Sequence, residues 1–278
     1  MFAGAGLPRQ MPTEISPEDA LYSETDYIFV TEMTMKMKDI HTGKLFSTEM
    51  KMSEVPDADP RLLGVMRRLG IRFGFGEKTV AEVCAENGVN PHTLLLICKI
   101  YIYDKYLPSR EELSRSSMSD IVTYLHGSHD FYTGIGLVNL EENIQAMSKT
   151  LDERHSGIIM KFCDGYKSEI LKHFEYEENT VFPYIHALAE GRLPEDYNID
   201  LYEENHSDVD EKLNDLKSIV MKYMPQTCDD NLIQNVLMCL YTLEDDLGKH
   251  TYIEDEILVP MVTAQEKTLK KEREEHRR

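Results

Sequence analysis

From about residue 118 onward, apolar side chains recur every three to four residues over long stretches, the spacing typical of amphipathic helices. The stretches run from Ser119 to about Met147, from about Leu151 to Leu188, from about Asp200 to Tyr223, and from about Asp229 to Thr263. Glycine and proline interrupt the pattern between the later ones, at Gly191–Pro194 and Pro225. Four long amphipathic helices with short connections predict an all-α, antiparallel four-helix bundle over residues 118–264, followed by a charged tail at residues 265–278.

Residues 51–108 carry a shorter helical pattern. One apolar face is formed by Leu62, Leu63, Met66 and Leu69, and Gly70 is placed to end that helix. Thr79 is a candidate N-cap for a second helix that ends near Gly88, and Pro91 opens a third. We therefore predict a small helical domain here, joined to the bundle by a linker at residues 107–109.

Residues 1–50 are expected to be a flexible or irregular segment. Residues 1–26 are rich in proline, glycine and acidic side chains. Met33, Met35 and Met37 alternate as in a strand, and His41-Thr42-Gly43 is suited to the turn of a hairpin. The start lacks the pattern of a signal peptide, and no apolar run approaches the roughly 18 residues that a membrane span needs.

Charge and cysteine content narrow the class of protein. The chain has a formal net charge of −20, and residues 109–278 carry 18 basic against 35 acidic side chains. That part should repel nucleic acid and anionic membranes, so we expect neither as a partner. Residues 60–108 carry seven basic and four acidic side chains, and are the one stretch suited to a polyanion. The five cysteines form no close pair, which indicates reduced thiols and a cytoplasmic protein.

Two of the predicted helices carry the same motif, 77 residues apart. It reads H-x-x-x-E-[E/D]-x-x-[V/L]-[F/V]-P, from His173 to Pro183 and again from His250 to Pro260. Four helical residues advance about 6 Å and turn about 40° past a full revolution. The pairs His173/Glu177 and His250/Glu254 therefore project from one face of each helix. Imidazole with carboxylate is a ligand set for iron, manganese or zinc.

A histidine followed four residues later by an acid is weak evidence for a metal site by itself, since this spacing occurs five times in the chain. Capping or salt-bridged residues could produce it, but the extended match on two helices makes that reading the poorer one. The other two helices should then each supply a ligand. The first offers His126 and His129, whose i, i+3 spacing allows either one, and the third offers His206.

With these motifs, residues 118–264 resemble the hemerythrin-like (HHE cation-binding) domain, a four-helix bundle that holds two non-haem iron ions. The resemblance implies that the metal ligands are His126, His173, Glu177, His206, His250 and Glu254, with the two glutamates bridging the irons. His126 and His250 would serve one iron, and His173 and His206 the other. His129 would lie beside the site or point outward.

Within the family, the chain is most similar to the di-iron proteins that repair iron–sulfur clusters. Respiratory hemerythrins carry a further histidine four residues after the third-helix ligand, where this chain has Asp210. Residues 51–108 resemble the N-terminal domain of the repair proteins, whose loop holds an adjacent pair of cysteines. This chain has Phe73-Gly74-Phe75-Gly76 in that loop.

The resemblance implies a role in iron–sulfur cluster repair or in the response to nitric oxide and oxidative stress. Oxygen, nitric oxide or peroxide would be the small ligands, and iron–sulfur proteins the clients. One alternative is an oxygen or nitric oxide sensor whose N-terminal domain binds a partner or DNA, because Cys84, Gly88 and Leu94 fit a helix-turn-helix outline. Hemerythrin-type oxygen or iron storage is another. The sequence leaves open whether the protein is an enzyme.

Overall fold

A computed structural model describes residues 46–195, 197–205 and 209–276 of the chain. The predicted flexible segment, apart from its last few residues, and the predicted hairpin at His41–Gly43 lie outside these ranges. Residues from Thr48 onward form one compact unit. Every regular element within the described ranges is helical, with one isolated bridge between Lys51 and Thr79. The predicted all-α class is confirmed.

Within the described residues, a 3-10 turn (Met52–Glu54) and five α-helices precede the bundle, and we call these α-helices the N-terminal helices. They are α1 (Val55–Ala58), α2 (Leu62–Arg68), α3 (Val80–Asn87), α4 (Pro91–Ile102) and α5 (Arg110–Arg115). Thr79 caps α3 through a reciprocal capping box with Glu82. Gly88 then ends α3 at a φ of 70°, a left-handed conformation that glycine adopts without steric cost. Helices α2, α3 and α4 thus begin and end close to the residues that the sequence indicates, whereas α1 and α5 were not predicted.

The bundle has four helical stretches, and in the part of the chain that the structure describes three of them contain a π-helical turn. The first is α6 (Met118–Phe131), π1 (Tyr132–Gly136) and α7 (Leu137–Ser148); the second is α8 (Glu153–Tyr176), π2 (Glu177–Val181) and α9 (Phe182–Ala189). The third comprises α10 (Asp200–Asn205) and α11 (Val209–Tyr223); the fourth is α12 (Asp230–Ile253), π3 (Glu254–Leu258) and α13 (Val259–His276).

These helices pack in a ring in which α7 contacts α8 and α12, and α11 contacts the same two helices. Aliphatic and aromatic side chains from all four fill the centre, among them Leu140, Ile170, Leu216 and Leu240. The charged tail continues α13 and is not wholly solvated. Glu266 is buried there and accepts hydrogen bonds from the Tyr184 hydroxyl and the Ile199 N–H.

The N-terminal helices pack directly on the bundle, with α2 against α6 and α4 against α12. Gly127 of α6 allows this close approach, because a Cβ at that position would lie 2.5 Å from the backbone oxygen of Arg68. Arg68 itself is buried and reaches Asp246 of α12, 2.6 Å from Nη2 to Oδ2. A buried ion pair and a backbone contact therefore join the N-terminal helices to the two bundle helices that carry His129 and His250.

Candidate metal centre

Four titratable side chains meet inside the bundle: His129, Glu177, His250 and Glu254. One potential ligand atom from each lies within 4.8 Å of those of the other three. All four are almost completely buried, with exposed fractions of 4%, 0%, 1% and 0%. Buried ionisable groups are rare unless they are paired or coordinate a metal.

The two glutamates of the cluster each begin a π turn. Glu177 opens π2 and Glu254 opens π3, each one helical turn after the histidine of its motif. Each π turn ends two residues before the proline of the motif, Pro183 or Pro260. Proline lacks an N–H, and its ring collides with the carbonyl four residues earlier in a regular α-helix. A wider turn relieves that collision, and such turns are frequent at functional sites.

The Nε2 atoms of His129 and His250 face carboxylates at short distance without a hydrogen bond. Nε2 of His129 lies 3.1 Å from Oε2 of Glu177, and Nε2 of His250 lies 3.0 Å from Oε1 of Glu254. Neither nitrogen has a hydrogen-bond partner, and Nδ1 of His250 is also buried without one. Buried polar atoms without partners are uncommon in folded proteins. Buried imidazole nitrogens that face carboxylates and lack hydrogen-bond partners fit a bound cation.

The charges at the centre favour a cation as well. Burial, followed by the nearby Glu254 carboxylate, raises the pKa of Glu177. Burial lowers the pKa of His129, but the Glu177 and Glu178 carboxylates outweigh it and raise that pKa to about 9. Burial lowers the pKa of His250. Two carboxylates in a dry interior are costly to ionise together, and a metal ion would remove that cost.

Two further side chains contact Glu177. The buried Tyr202 hydroxyl donates a hydrogen bond to Oε1 of Glu177 at 2.9 Å. Nε2 of His173, whose side chain is 9% exposed, lies 3.4 Å from the same oxygen. His173 therefore borders the cluster without being one of its four members. Tyr202 was missed by the sequence reasoning, because a tyrosine in a helix carries no signal of this kind.

The structure brings together Glu177, His250 and Glu254 of the six predicted ligands. His126 lies elsewhere, with a side chain 57% exposed at the surface, and His129 occupies the interior position instead. This corrects the expectation that His129 lies beside the site or points outward. The helical spacing could have indicated this placement. His129 follows the core residue Leu125 by four positions and so lies on the same face of the helix, whereas His126 directly adjoins Leu125. His206 lies outside the described residues.

The family of the chain follows from its sequence match. Residues 137–277 match the family model for the hemerythrin HHE cation-binding domain. The match covers half of the chain, and the chain belongs to this family. Glu177, His250 and Glu254 lie inside the matched range, and His129 lies just before it on the same continuous helical stretch.

No curated protein matches the chain. Among the described residues, no helix is both long enough and apolar enough to cross a bilayer.

Proposed function

We propose that the protein is a non-haem iron protein that holds two iron ions in its four-helix bundle. The observation that carries this proposal is the buried cluster of two imidazoles and two carboxylates, in which Nε2 of His129 and both ring nitrogens of His250 lack hydrogen-bond partners. Mixed nitrogen and oxygen ligands suit iron, and cation binding is the property for which the family is described. A bound di-iron centre would supply redox chemistry toward small ligands such as oxygen, nitric oxide or peroxide.

The proposed ligands are His129, Glu177, His250 and Glu254, with His173 and His206 completing the set. His129 replaces His126 of the expected set, because His126 is exposed and its Nδ1 is engaged by Glu178. His173 remains in the set, because its Nε2 faces the same Glu177 oxygen that accepts a hydrogen bond from Tyr202. The placement of His206 rests on the family resemblance of the sequence alone.

Metal analysis of the protein, purified without chelator and again after anaerobic iron addition, tests the proposal. We expect about two irons per chain and charge-transfer absorption that disappears on iron removal. Stoichiometric zinc after iron addition, or no tightly bound metal, would contradict it.

Alanine variants test the ligand assignment. His129→Ala and His250→Ala should each remove most of the bound iron, because each deletes an imidazole from the buried cluster. His186→Ala is the matched control, since His186 is exposed on α9 of the second bundle stretch. Circular dichroism of each variant checks that the bundle is still folded. Equal iron loss in the His186 control would show that the assignment is wrong.

At a finer level, we propose that the bound iron serves iron–sulfur cluster repair under nitrosative or oxidative stress, in the cytoplasm. Support comes from the resemblance of residues 51–108 to the N-terminal domain of repair proteins. The loop at Phe73–Gly76 has no cysteine, and Phe73 is 56% exposed beside Phe75. Any transfer of iron to a client must therefore proceed without thiols from this loop.

A client assay tests this role. A [4Fe–4S] hydro-lyase whose cluster has lost one iron is mixed with iron-loaded protein, and recovery of its activity is followed. Recovery faster than with the same amount of free ferrous iron supports the proposal. The His250→Ala variant, loaded under the same conditions, is the control. Recovery no faster than with free iron would contradict the repair role while leaving iron binding intact.

The second candidate function is sensing of oxygen or nitric oxide, in which the N-terminal helices act on a protein partner. The buried contact between Arg68 and Asp246 links the N-terminal helices to α12, one turn before His250. The DNA-binding form is disfavoured, because no residue of α4, the second helix of the helix-turn-helix outline, is exposed. A recognition helix needs an exposed face to enter the major groove.

Storage by reversible oxygen uptake has less support, since Asp210 replaces the further histidine of respiratory hemerythrins.

A further inference from the structure

One carboxylate connects both histidines of the first bundle stretch. Nδ1 of His129 lies 2.7 Å from Oε1 of Glu178, and Nδ1 of His126 lies 2.9 Å from both oxygens of Glu178. His129 is buried, Glu178 is 31% exposed at its side chain, and His126 is at the surface. The three side chains form a chain of hydrogen bonds that runs from the surface to the metal centre.

The hydrogen bond to Glu178 determines which nitrogen of His129 carries a proton. An ionised carboxylate only accepts hydrogen bonds, so Nδ1 of His129 must be the donor. In a neutral imidazole, the lone pair is then on Nε2. Nε2 is the atom that faces Oε2 of Glu177 in the buried cluster. The tautomer that Glu178 selects is therefore the one that a metal ligand requires.

Aromatic packing restricts the His129 ring as well. The ring stacks on Phe174 at a centroid distance of 4.1 Å and on Phe182 at 5.5 Å. Stacking fixes the plane of the ring but not whether nitrogen or carbon atoms face the two carboxylates, because a flip about the Cβ–Cγ bond keeps that plane and exchanges Nδ1 with Cδ2 and Nε2 with Cε1. The polar contact must make the choice, and Glu178 supplies it on the outer side.

We propose that Glu178 is a positioning residue of the metal centre, fixing the orientation and tautomer of His129, and that His126 holds the Glu178 carboxylate in place. This inference rests on the proposed function. Partners of this kind orient metal-bound histidines and raise the basicity of the ligand. The proposal explains why two histidines stand at i, i+3 on this helix: one reaches the interior, and the other anchors the shared carboxylate. It also gives a role to the second acid in the first copy of the repeated motif.

Variants of Glu178 and a matched control test the proposal. Glu178→Ala removes the acceptor, whereas Glu178→Gln keeps one acceptor oxygen of the same reach. Glu175→Gln is the control, because Glu175 is an exposed acid on the same helical stretch. Loss of an outer partner typically weakens metal binding 10–100-fold. We expect faster iron release to a chelator for Glu178→Ala in that range, a smaller effect for Glu178→Gln, and none for the control.

A spectroscopic readout separates positioning from a general loss of stability. Zinc serves as a diamagnetic probe, and two-dimensional ¹H–¹⁵N spectra of the zinc-loaded protein report the tautomer of each histidine. The wild type should show His129 with its proton on Nδ1, shielded from exchange with water. In Glu178→Ala that proton should exchange faster or move to the other nitrogen. His126→Ala should give an intermediate result, since Glu178 keeps its bond to His129 but loses its anchor.

The outcomes separate this proposal from the one on which it rests. If the wild type takes up no metal, the proposed function fails and the positioning role fails with it. If the wild type binds metal normally, and Glu178→Ala has the same release rate and the same His129 spectrum, the positioning role alone is refuted.

Discussion

Replacing Arg68 with methionine tests how firmly the N-terminal helices are held on the bundle. The Arg68 guanidinium donates to Asp246 from both terminal nitrogens, at 2.6 and 3.1 Å, and to the Tyr101 hydroxyl at 2.9 Å. Tyr101 also donates to Asp246 at 2.8 Å. The side chains of Arg68 and Asp246 are only 6% and 18% exposed. The contact is a buried, bidentate ion pair, and water reaches it poorly.

Removing one partner leaves the other charge buried and uncompensated, which costs about 3–5 kcal/mol. We therefore expect Arg68→Met to lower the free energy of unfolding by about that amount, and Asp246→Asn to have an effect of similar size. The double variant should cost much less than the two single effects combined, because it leaves no lone charge. The difference is the coupling energy of the pair.

Urea denaturation of the metal-free protein, followed by circular dichroism, measures these free energies. Arg67→Met is the matched control, since Arg67 is the exposed neighbour on the same helix. It should stay within about 0.5 kcal/mol of the wild type, as surface substitutions usually do. The reasoning is refuted if Arg68→Met costs as little as the control, or if the effects of the single variants simply add.

The same pair predicts a dependence of stability on pH. Burial raises the pKa of Asp246, but Arg68 and the neighbouring hydroxyls outweigh it and hold that pKa below its ordinary value. A group with a depressed folded-state pKa contributes stability that is present above its unfolded pKa, about 3.9 for aspartate, and is lost as pH falls through the folded value. Below about pH 4, the wild type should lose more stability than Asp246→Asn.

The remaining predictions concern close packing and the Glu177 carboxylate. Gly127→Ala should lower the free energy of unfolding by about 1–3 kcal/mol or more, because the new Cβ would lie 2.5 Å from the Arg68 oxygen and α2 would have to shift. Gly165→Ala is its control, since a Cβ there meets nothing within 4 Å, and should be neutral or slightly stabilising. Tyr202→Phe should lower the free energy of unfolding of the metal-free protein by about 1–3 kcal/mol, since Glu177 loses its hydroxyl donor. An unchanged urea midpoint for Gly127→Ala or for Tyr202→Phe would contradict the corresponding prediction.

Much of the fold was determined by local sequence signals. Thr79, Gly88 and Pro91 mark helix ends because capping, left-handed backbone and the missing N–H of proline act within a few residues. The repeated motif placed His250 one turn from Glu254, because that relation depends only on helix geometry. The π turns inside each motif were not predicted, although the proline that ends each motif was a local signal for them.

Tertiary structure decided which side chains meet. Whether His126 or His129 enters the core depends on the rotation of the first bundle stretch about its axis. That rotation is set by packing across the bundle and by the approach of α2 at Gly127, which lies between the two histidines. The roles of Glu178, Tyr202 and Arg68 likewise depend on contacts with residues that are distant in the chain. Patterns among neighbouring residues do not predict such contacts, because the free energy that fixes them comes from the burial of many helix faces at once.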